Sequence, residues 1–562
     1  MRHLYHFLVG CLILAVSPTR LQAQTWQWLA TSTGSATSTG VSDITATATD
    51  GAGNTVVVGT FSGTVTFGST TLVSAGASDL FVGRVNASGA WTQAVRAGGP
   101  GNETAKGVAV DNSGNILVTG TFTSVTMAFD AFTLTNATTG GTSNDQDIFV
   151  ARLNPAGSWT QAVRAGGNKA DLVVGLTLDA AGNVTIAGGF NSVSAGFGAT
   201  TLPNSDNTGT NYDIFVARLN NVGTWTQAVQ AGNASTSEQA LALAQDGAGN
   251  AYITGLLSSS TLTFGAISIA NSGTSSDAFV ARLNSAGTWT QAVAGGVSGV
   301  FEQPNAIAVD GSGNAVVAGL YTGSTSFGAN PLPLPAGVTF GGFVARLSAA
   351  GIWTQAVPGG GTSGTTFPNA VAVDASGNAT VAGQLNSATA QFGTIAVNST
   401  GTGADVFVAR LNTAGTWTYA LRAGTSGVDS ARDIFLAGTT ATVAGQLGTV
   451  MAPFGFNSLP ITATTATGFV ARLTGLVSSS RPSRATESLV LLPNPAHGAV
   501  RLQSLVPSNK PLALILTDGL GREVRRQVLP AHTTATQLDL TGVAPGIYIV
   551  RCGAASGKVV VE

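Results

Sequence analysis

Along most of the chain, apolar and polar residues alternate in short runs broken by Gly-, Asp- and Asn-rich turns. That two-residue period predicts half-buried strands, not helices. Residues 301–360 show the unit. Residues 305–309 (Asn-Ala-Ile-Ala-Val) read as a strand, and Asp310-Gly311-Ser312-Gly313-Asn314 as a tight turn. Residues 315–320 read as a second strand, followed by a longer excursion that carries Phe327-Gly328. Residues 342–347 (Gly-Phe-Val-Ala-Arg-Leu) and 352–357 (Ile-Trp-Thr-Gln-Ala-Val) complete the set. Four strands joined by hairpin connections predict one antiparallel sheet.

The unit recurs. Phe-Val-x-Arg followed by Leu or Val begins at Phe81, Phe149, Phe215, Phe279, Phe343, Phe407 and Phe469, at spacings of 68, 66, 64, 64, 64 and 62 residues. The turn Asp-x-x-Gly-Asn starts at Asp50, Asp111, Asp179, Asp246, Asp310 and Asp374; residues 436–440 (Leu-Ala-Gly-Thr-Thr) replace it in the seventh unit. Each excursion holds a Phe, at Phe67, Phe129, Phe197, Phe264, Phe327, Phe392 and Phe454, which predicts an extra hairpin packed on each sheet. A fixed long period marks a repeat architecture.

The ends of the array identify which one. The Trp-led fourth strand appears at Trp91, Trp159, Trp225, Trp289, Trp353 and Trp417 but not after the seventh phrase, while Trp26 and Trp28 stand alone near the start. A ring in which an N-terminal strand completes the last sheet explains this offset, because closure protects the edges. The expected fold is all-β: a seven-bladed β-propeller over residues 24–475, closed by an N-terminal strand.

Composition narrows the function. Of 562 residues, 9% are charged and the net charge is -2, so nothing favours nucleic acid or an anionic surface. The two cysteines, Cys11 and Cys552, give the repeats no disulfide framework. Residues 1–23 read as a signal peptide, with Arg2, an apolar run from Phe7 to Val16, and a small residue, Ala23, before the cut. A lipoprotein signal at Cys11 is disfavoured because the apolar run continues past it. The run is too short for a stable transmembrane anchor. Residues 476–488 are Ser- and Pro-rich and read as a linker. From 489 to 562, short alternating strands predict a small β-sandwich.

That last segment resembles the type A sorting domain of the type IX secretion system of Bacteroidota. The resemblance rests on Leu492-Pro493-Asn494-Pro495-Ala496, on Asp518-Gly519-Leu520-Gly521-Arg522-Glu523, on Pro545-Gly546-Ile547-Tyr548 and on Lys558-Val559-Val560-Val561. Leu492 replaces a frequent Tyr, and Cys552 is unusual for the pattern. The resemblance implies export across both membranes by the type IX machinery. It also implies cleavage in the linker, then release or attachment to surface lipopolysaccharide. The repeats themselves resemble bacterial β-propeller repeats of secreted proteins, which implies a fold and leaves the function open.

Catalytic chemistry is sparse. His3, His6, His497 and His532 all lie outside the repeats, which removes His-based triads and His-based zinc sites there. The repeated arginines (Arg84, Arg152, Arg218, Arg282, Arg346, Arg410, Arg472) read as hydrogen-bonding or stacking groups between sheets, with a ring of anion-binding guanidiniums as the alternative. Glu103, Asp171, Glu238 and Glu302 stand eight residues before the turn Asp in four consecutive units. As loop acids on one face they could bind Ca²⁺ or carbohydrate hydroxyls, or act in glycoside hydrolysis; the plain alternative is solvated or capping acids. No catalytic residue, resident metal or cofactor is assigned. The reading is a secreted or surface-attached module for adhesion, or for glycan or protein binding. Its alternatives are a carbohydrate-active hydrolase or lyase, and a structural spacer.

Overall fold

The computed structural model describes residues 24–34, 40–138, 145–360, 364–399, 403–448, 466–476, 490–503, 511–518, 522–533, 535–552 and 555–562. The signal peptide, Phe454, the linker from residue 477 and Gly521 lie outside them. The chain divides into two compact units, Met1–Ser478 and Ser479–Glu562.

The first unit holds seven four-stranded antiparallel sheets among the described residues. The first blade runs Val41–Thr49, Thr55–Ser62, Asp79–Val85 and Trp91–Ala97; the second runs Glu103–Val110, Ile116–Phe122, Asp147–Leu153 and Trp159–Ala165. Blades three to six repeat this order with innermost strands Asp171–Leu178, Gln239–Gln245, Glu302–Val309 and Thr365–Val373. The seventh takes Ser430–Ala437, Thr440–Leu447 and Thr467–Thr474 from the C-terminal end and Thr25–Thr31 from the N-terminal end. Thr25 pairs with Thr474, and Thr31 with Phe469, as the displaced Trp strand predicts. Innermost strands pack on one another in sequence, and that of the seventh blade packs back on that of the first. The unit is therefore a closed propeller.

The core lies between blades. Val56, Val58 and Val82 of the first blade cluster with Val108, Ile116 and Phe149 of the second, and Trp28 and Val470 of the seventh join Val57 and Phe81 of the first. The excursion after the second strand is a two-stranded hairpin, as in Thr126–Phe129 with Phe132–Thr135. Its Phe is fully buried against the phrase Phe and edge-on to the fourth-strand Trp: Phe129 lies 5.4 Å from Phe149 and 4.9 Å from Trp159. This aromatic stack recurs in the first six blades. The repeated Phe is thus a packing residue, and the Trp reaches the preceding blade. Trp159 Nε1 donates to Arg96 O and Trp353 Nε1 to Ala294 O.

The second unit is a sandwich of a three-stranded sheet (Val490–Leu492, Ala499–Gln503, Thr536–Asp539) and a four-stranded sheet (Leu512–Thr517, Glu523–Leu529, Gly546–Cys552, Ala555–Val561). Leu502, Leu514, Leu538, Val550 and Val559 fill its core, and Cys552 is buried there.

Candidate functional site

The four acids read as loop residues are not in loops. Glu103, Asp171 and Glu302 begin innermost strands, Glu238 immediately precedes one, and all four are fully buried. Pairing starts earlier than the apolar pattern suggested: Glu103 is already opposite Phe122, and Glu302 opposite Tyr321. That register turns the carboxylates into the gaps between blades, away from the open face where a ligand would reach them.

Each meets a second acid from the preceding blade. The partners are Asp79 for Glu103, Asp147 for Asp171, Asp213 for Glu238 and Asp277 for Glu302; Asp405 with Asp429 makes a fifth pair. The Asp partners open third strands and are buried. A glycine immediately follows the fourth strand beside each pair. At Gly166, the point where a Cβ would stand is 2.4 Å from Asp147 Oδ1 and 2.7 Å from Asp171 Oδ2. At the fifth-to-sixth interface Gly341 and Thr366 replace the acids. At the closing interface Ser32 Oγ bridges Ser42 Oγ and Thr467 Oγ1 at 2.5 and 2.9 Å.

Like charges at close range in a dry gap must be offset. Three interfaces use arginine: Arg96–Asp79 at 2.5 Å, Arg164–Asp147 at 2.6 Å and Arg422–Asp405 at 2.8 Å. Hydroxyl and backbone donors hold the partners. Ser124 Oγ and Gly99 N donate to Glu103, and Ser192 Oγ and Gly167 N to Asp171. Burial, reinforced by the neighbouring acid, still raises Glu103 and Asp429 and pushes Asp171 up to about 7. The Asp two residues before the Phe-Val phrase was the sequence signal that could have revealed these pairs.

The repeated turns are self-contained. Asp111 Oδ1 accepts from Ser113 N and Asn115 N at 2.9 Å each, and Asn115 Nδ2 donates to Asp111 Oδ2 at 2.8 Å. These bonds hold the Asp111 carboxyl low despite its burial. All six turns repeat them. The third-strand arginines clip neighbouring turns: Arg218 donates to Gly249 O and Ser285 O, and Arg346 to Gly377 O. Arg152 and Arg410 pair with Asp111 and Asp374. The Arg218 and Arg346 bonds join blade to blade, as the plain reading expected, whereas the Arg152–Asp111 and Arg410–Asp374 pairs tie a third strand to the turn of its own blade.

What differs from blade to blade lies in the central channel. Every innermost strand is bulged by one residue: Thr45, Lys106, Val174, Leu241, Asn305, Asn369 and Arg432. All seven line one cavity of about 310 Å³ on the axis. A glycine opposite each bulge makes it sterically feasible. A Cβ on Gly188 would lie 1.8 Å from Leu172 O, and one on Gly319 would lie 2.1 Å from Gln303 O. The ring has a polar arc in which Thr45 stands between the cations Arg432 and Lys106, an apolar arc (Val174, Leu241) and an amide arc (Asn305, Asn369). Arg432 lies 3.4 Å from Asp43, and Asp433 accepts from Thr47 N and Oγ1. Towards the turn face the channel widens into a cavity of about 1030 Å³, lined by Val110, Leu178, Phe435, Asp111, Arg152 and Gln245 among others. Sequence reading missed the ring because its seven residues are of six types.

In the second unit, the motif residues hold one edge together. Asn494 Nδ2 donates to Lys558 O at 2.8 Å, and Val560 N donates to Asn494 Oδ1 at 2.9 Å. Pro493 and Pro495 flank Asn494, both after cis peptide bonds. Asp518 accepts from Arg522 N and Nε, and Tyr548 OH donates to Ala544 O beside Pro545 and Gly546.

No curated protein matches the chain. Among solved structures it resembles the WD40 beta propeller domain of Doa1 at 8% identity and TM-score 0.38, covering 82% of this chain and 98% of that one. It also resembles the phage phi92 endosialidase at 11% identity and TM-score 0.35, covering 90% and 75%. Scores this low add nothing to the strand pairing as an argument for the fold. Residues 490–562 match the model of the secretion system C-terminal sorting domain family, so the chain carries a type IX secretion address and is a secreted, cell-surface protein.

Proposed function

We propose that the propeller is a non-catalytic binding module, exported through the type IX machinery, that takes its ligand on the channel axis. One observation carries this reading: the blades keep their framework residues and differ where seven bulged side chains converge on one cavity. A scaffold that repeats its packing while varying a convergent ring has the form of a recognition surface. A ligand with both polar and apolar parts, such as a glycan or a peptide end, suits the mixed ring. Adhesion is the corresponding role at the surface.

Export begins with removal of residues 1–23. Cleavage in the 476–488 linker then releases the propeller or leaves it attached to surface lipopolysaccharide. The carbohydrate-active alternative needs two carboxylates open to a sugar, and it gains no support from Glu103, Asp171, Glu238 or Glu302, which are buried. Glycan and peptide arrays probed with the mature chain test the proposal. Binding that is lost in Lys106→Ala and Leu241→Ala supports it; binding indifferent to the ring, or none on any array, counts against it.

A further inference from the structure

Of the five acid-pair interfaces, three carry an arginine and two do not, and the one between the fourth and fifth blades is the more poorly supplied with donors of those two. Ala294 stands where Arg96, Arg164 and Arg422 stand elsewhere, so no guanidinium reaches Asp277 and Glu302. Their residue exposures are 2% and 0%. Glu238, at the other interface without arginine, receives bonds from Thr236 Oγ1, Ser258 N and Ser259 N. Neither Glu302 oxygen makes a hydrogen bond of good geometry; Thr325 Oγ1 and Val297 N are the nearest donors and oppose the effect of burial on it only in part. Asp277, by contrast, accepts from Ser272 N at 2.7 Å and Ser272 Oγ at 2.8 Å. Both carboxylates face the space left by Gly296, where a Cβ would stand 2.6 Å from Glu302 Oε2 and 2.9 Å from Asp277 Oδ1.

We propose that a proton held between Glu302 and Asp277 takes the place of the missing arginine and makes this interface a pH-sensitive latch between the fourth and fifth blades. The charge count is the same either way. Two carboxylates with one guanidinium carry one net negative charge, and so do two carboxylates with one proton. Ser272 gives Asp277 two donors, which leaves Glu302 as the carboxyl on which the proton sits, facing the space at Gly296. Surrounding groups do not compete. The strands packed on Glu302–Val309 are Gln239–Gln245, Ala251–Leu257, Asp277–Leu283, Ala315–Tyr321 and Thr365–Val373. Their titratable side chains are Tyr252, Asp277, Arg282 and Tyr321. Arg282 lies over the Tyr252 ring, and Tyr321 OH donates to Pro333 O. Asp277 alone acts on Glu302 as a charge. Burial, together with Asp277, pushes Glu302 up to about 7 from its ordinary 4.5.

The sign follows from which state holds the proton. The folded chain keeps it where the unfolded chain has lost it, so the latch is fully stabilising below the unfolded value of 4.5 and is lost as pH rises through about 7. The test is thermal and urea unfolding of the mature chain against pH for wild type, Glu302→Gln and Ala294→Arg. Relative to Glu302→Gln, the wild-type unfolding constant should rise about tenfold per pH unit between about pH 5 and 7 and then level off. Ala294→Arg should reduce that rise by placing a guanidinium beside Asp277, while the part due to burial remains, as it does for Asp171 beside Arg164 and Asp147. If Glu302→Gln does not fold, the carbonyl stretch of protonated carboxylic acids is read by infrared spectroscopy between pH 5 and 8 in wild type and Ala294→Arg; a band that Ala294→Arg weakens at pH 6 supports the latch. Parallel pH curves, equal infrared bands, or rescue of wild type but not Glu302→Gln by millimolar Ca²⁺ at pH 8 would overturn it, the last by showing a cation in the proton's place.

Discussion

Arg472 Nη2 donates to the carbonyl oxygen of Gly53 at 3.0 Å, joining the last blade to the first turn of the first blade across 419 residues of sequence. Its guanidinium also lies over the Trp28 ring, 5.3 Å from the centroid, and so grips the N-terminal strand. Arg472→Ala should lower stability by about 1–3 kcal/mol, the sum of one charge-assisted hydrogen bond and a cation–π contact. Calorimetry measures the loss, and limited proteolysis should show earlier cutting near residue 30.

The bulges make a sharper demand on glycine. Gly188→Ala would press a methyl into Leu172 O and should cost more than about 3 kcal/mol or prevent folding. Gly175→Ala, in the adjacent innermost strand, meets nothing within 4 Å and should be tolerated. Equal loss in both, read by urea unfolding, would refute the steric account of the channel.

The tryptophans separate a hydrogen bond from a packed ring. Trp353 Nε1 donates to Ala294 O at 2.8 Å, whereas Trp289 Nε1 has no partner. Trp353→Phe should therefore cost about 1 kcal/mol more than Trp289→Phe, since both remove similar ring area and only one removes a bond. Chemical denaturation of the two variants side by side checks this.

Asp171 extends the pH argument to the second-to-third interface. Its carboxyl is pushed up to about 7 by burial and by Asp147, so its contribution is present at low pH and lost as pH rises through that value. Asp171→Asn should flatten the fall in melting temperature between pH 5 and 8, with Arg164 still holding Asp147.

In the second unit, Asn494→Ala removes both bonds from the Pro-Asn-Pro turn to the strand at Lys558 and Val560. The bonds are exposed, so the cost should be only about 1–2 kcal/mol. Export should suffer more than folding, and fractionation of cells expressing the variant, compared with far-ultraviolet dichroism of the purified chain, separates the two.

The repeats were legible because seven Phe phrases and the displaced Trp strand are facts of order and count, which alternation and spacing report directly. The extra hairpins followed from a Phe at a matching place in every excursion. The acids were misplaced because spacing along a chain does not say which side of a strand a residue takes when a bulge intervenes. Glu103 and Glu302 precede the first strand in the apolar pattern, yet the bulges at Lys106 and Asn305 let pairing begin earlier and turn both carboxylates inward. Asp79 and Asp277 went unweighed as partners because closeness across two blades is a tertiary fact. The channel ring left only an indirect trace, the glycine in every second strand.

The seam between Thr25–Thr31 and Thr467–Thr474 also sets a clock. The earliest strand of the ring to be made must wait, unpaired, for the ring's last. Any chain cut short of Thr474 leaves that strand without a mate and the seventh sheet with a raw margin, ready for proteases. Completion is thus self-auditing: the ring shuts only on a chain made through Thr474, and only where both halves of the seam are free to meet.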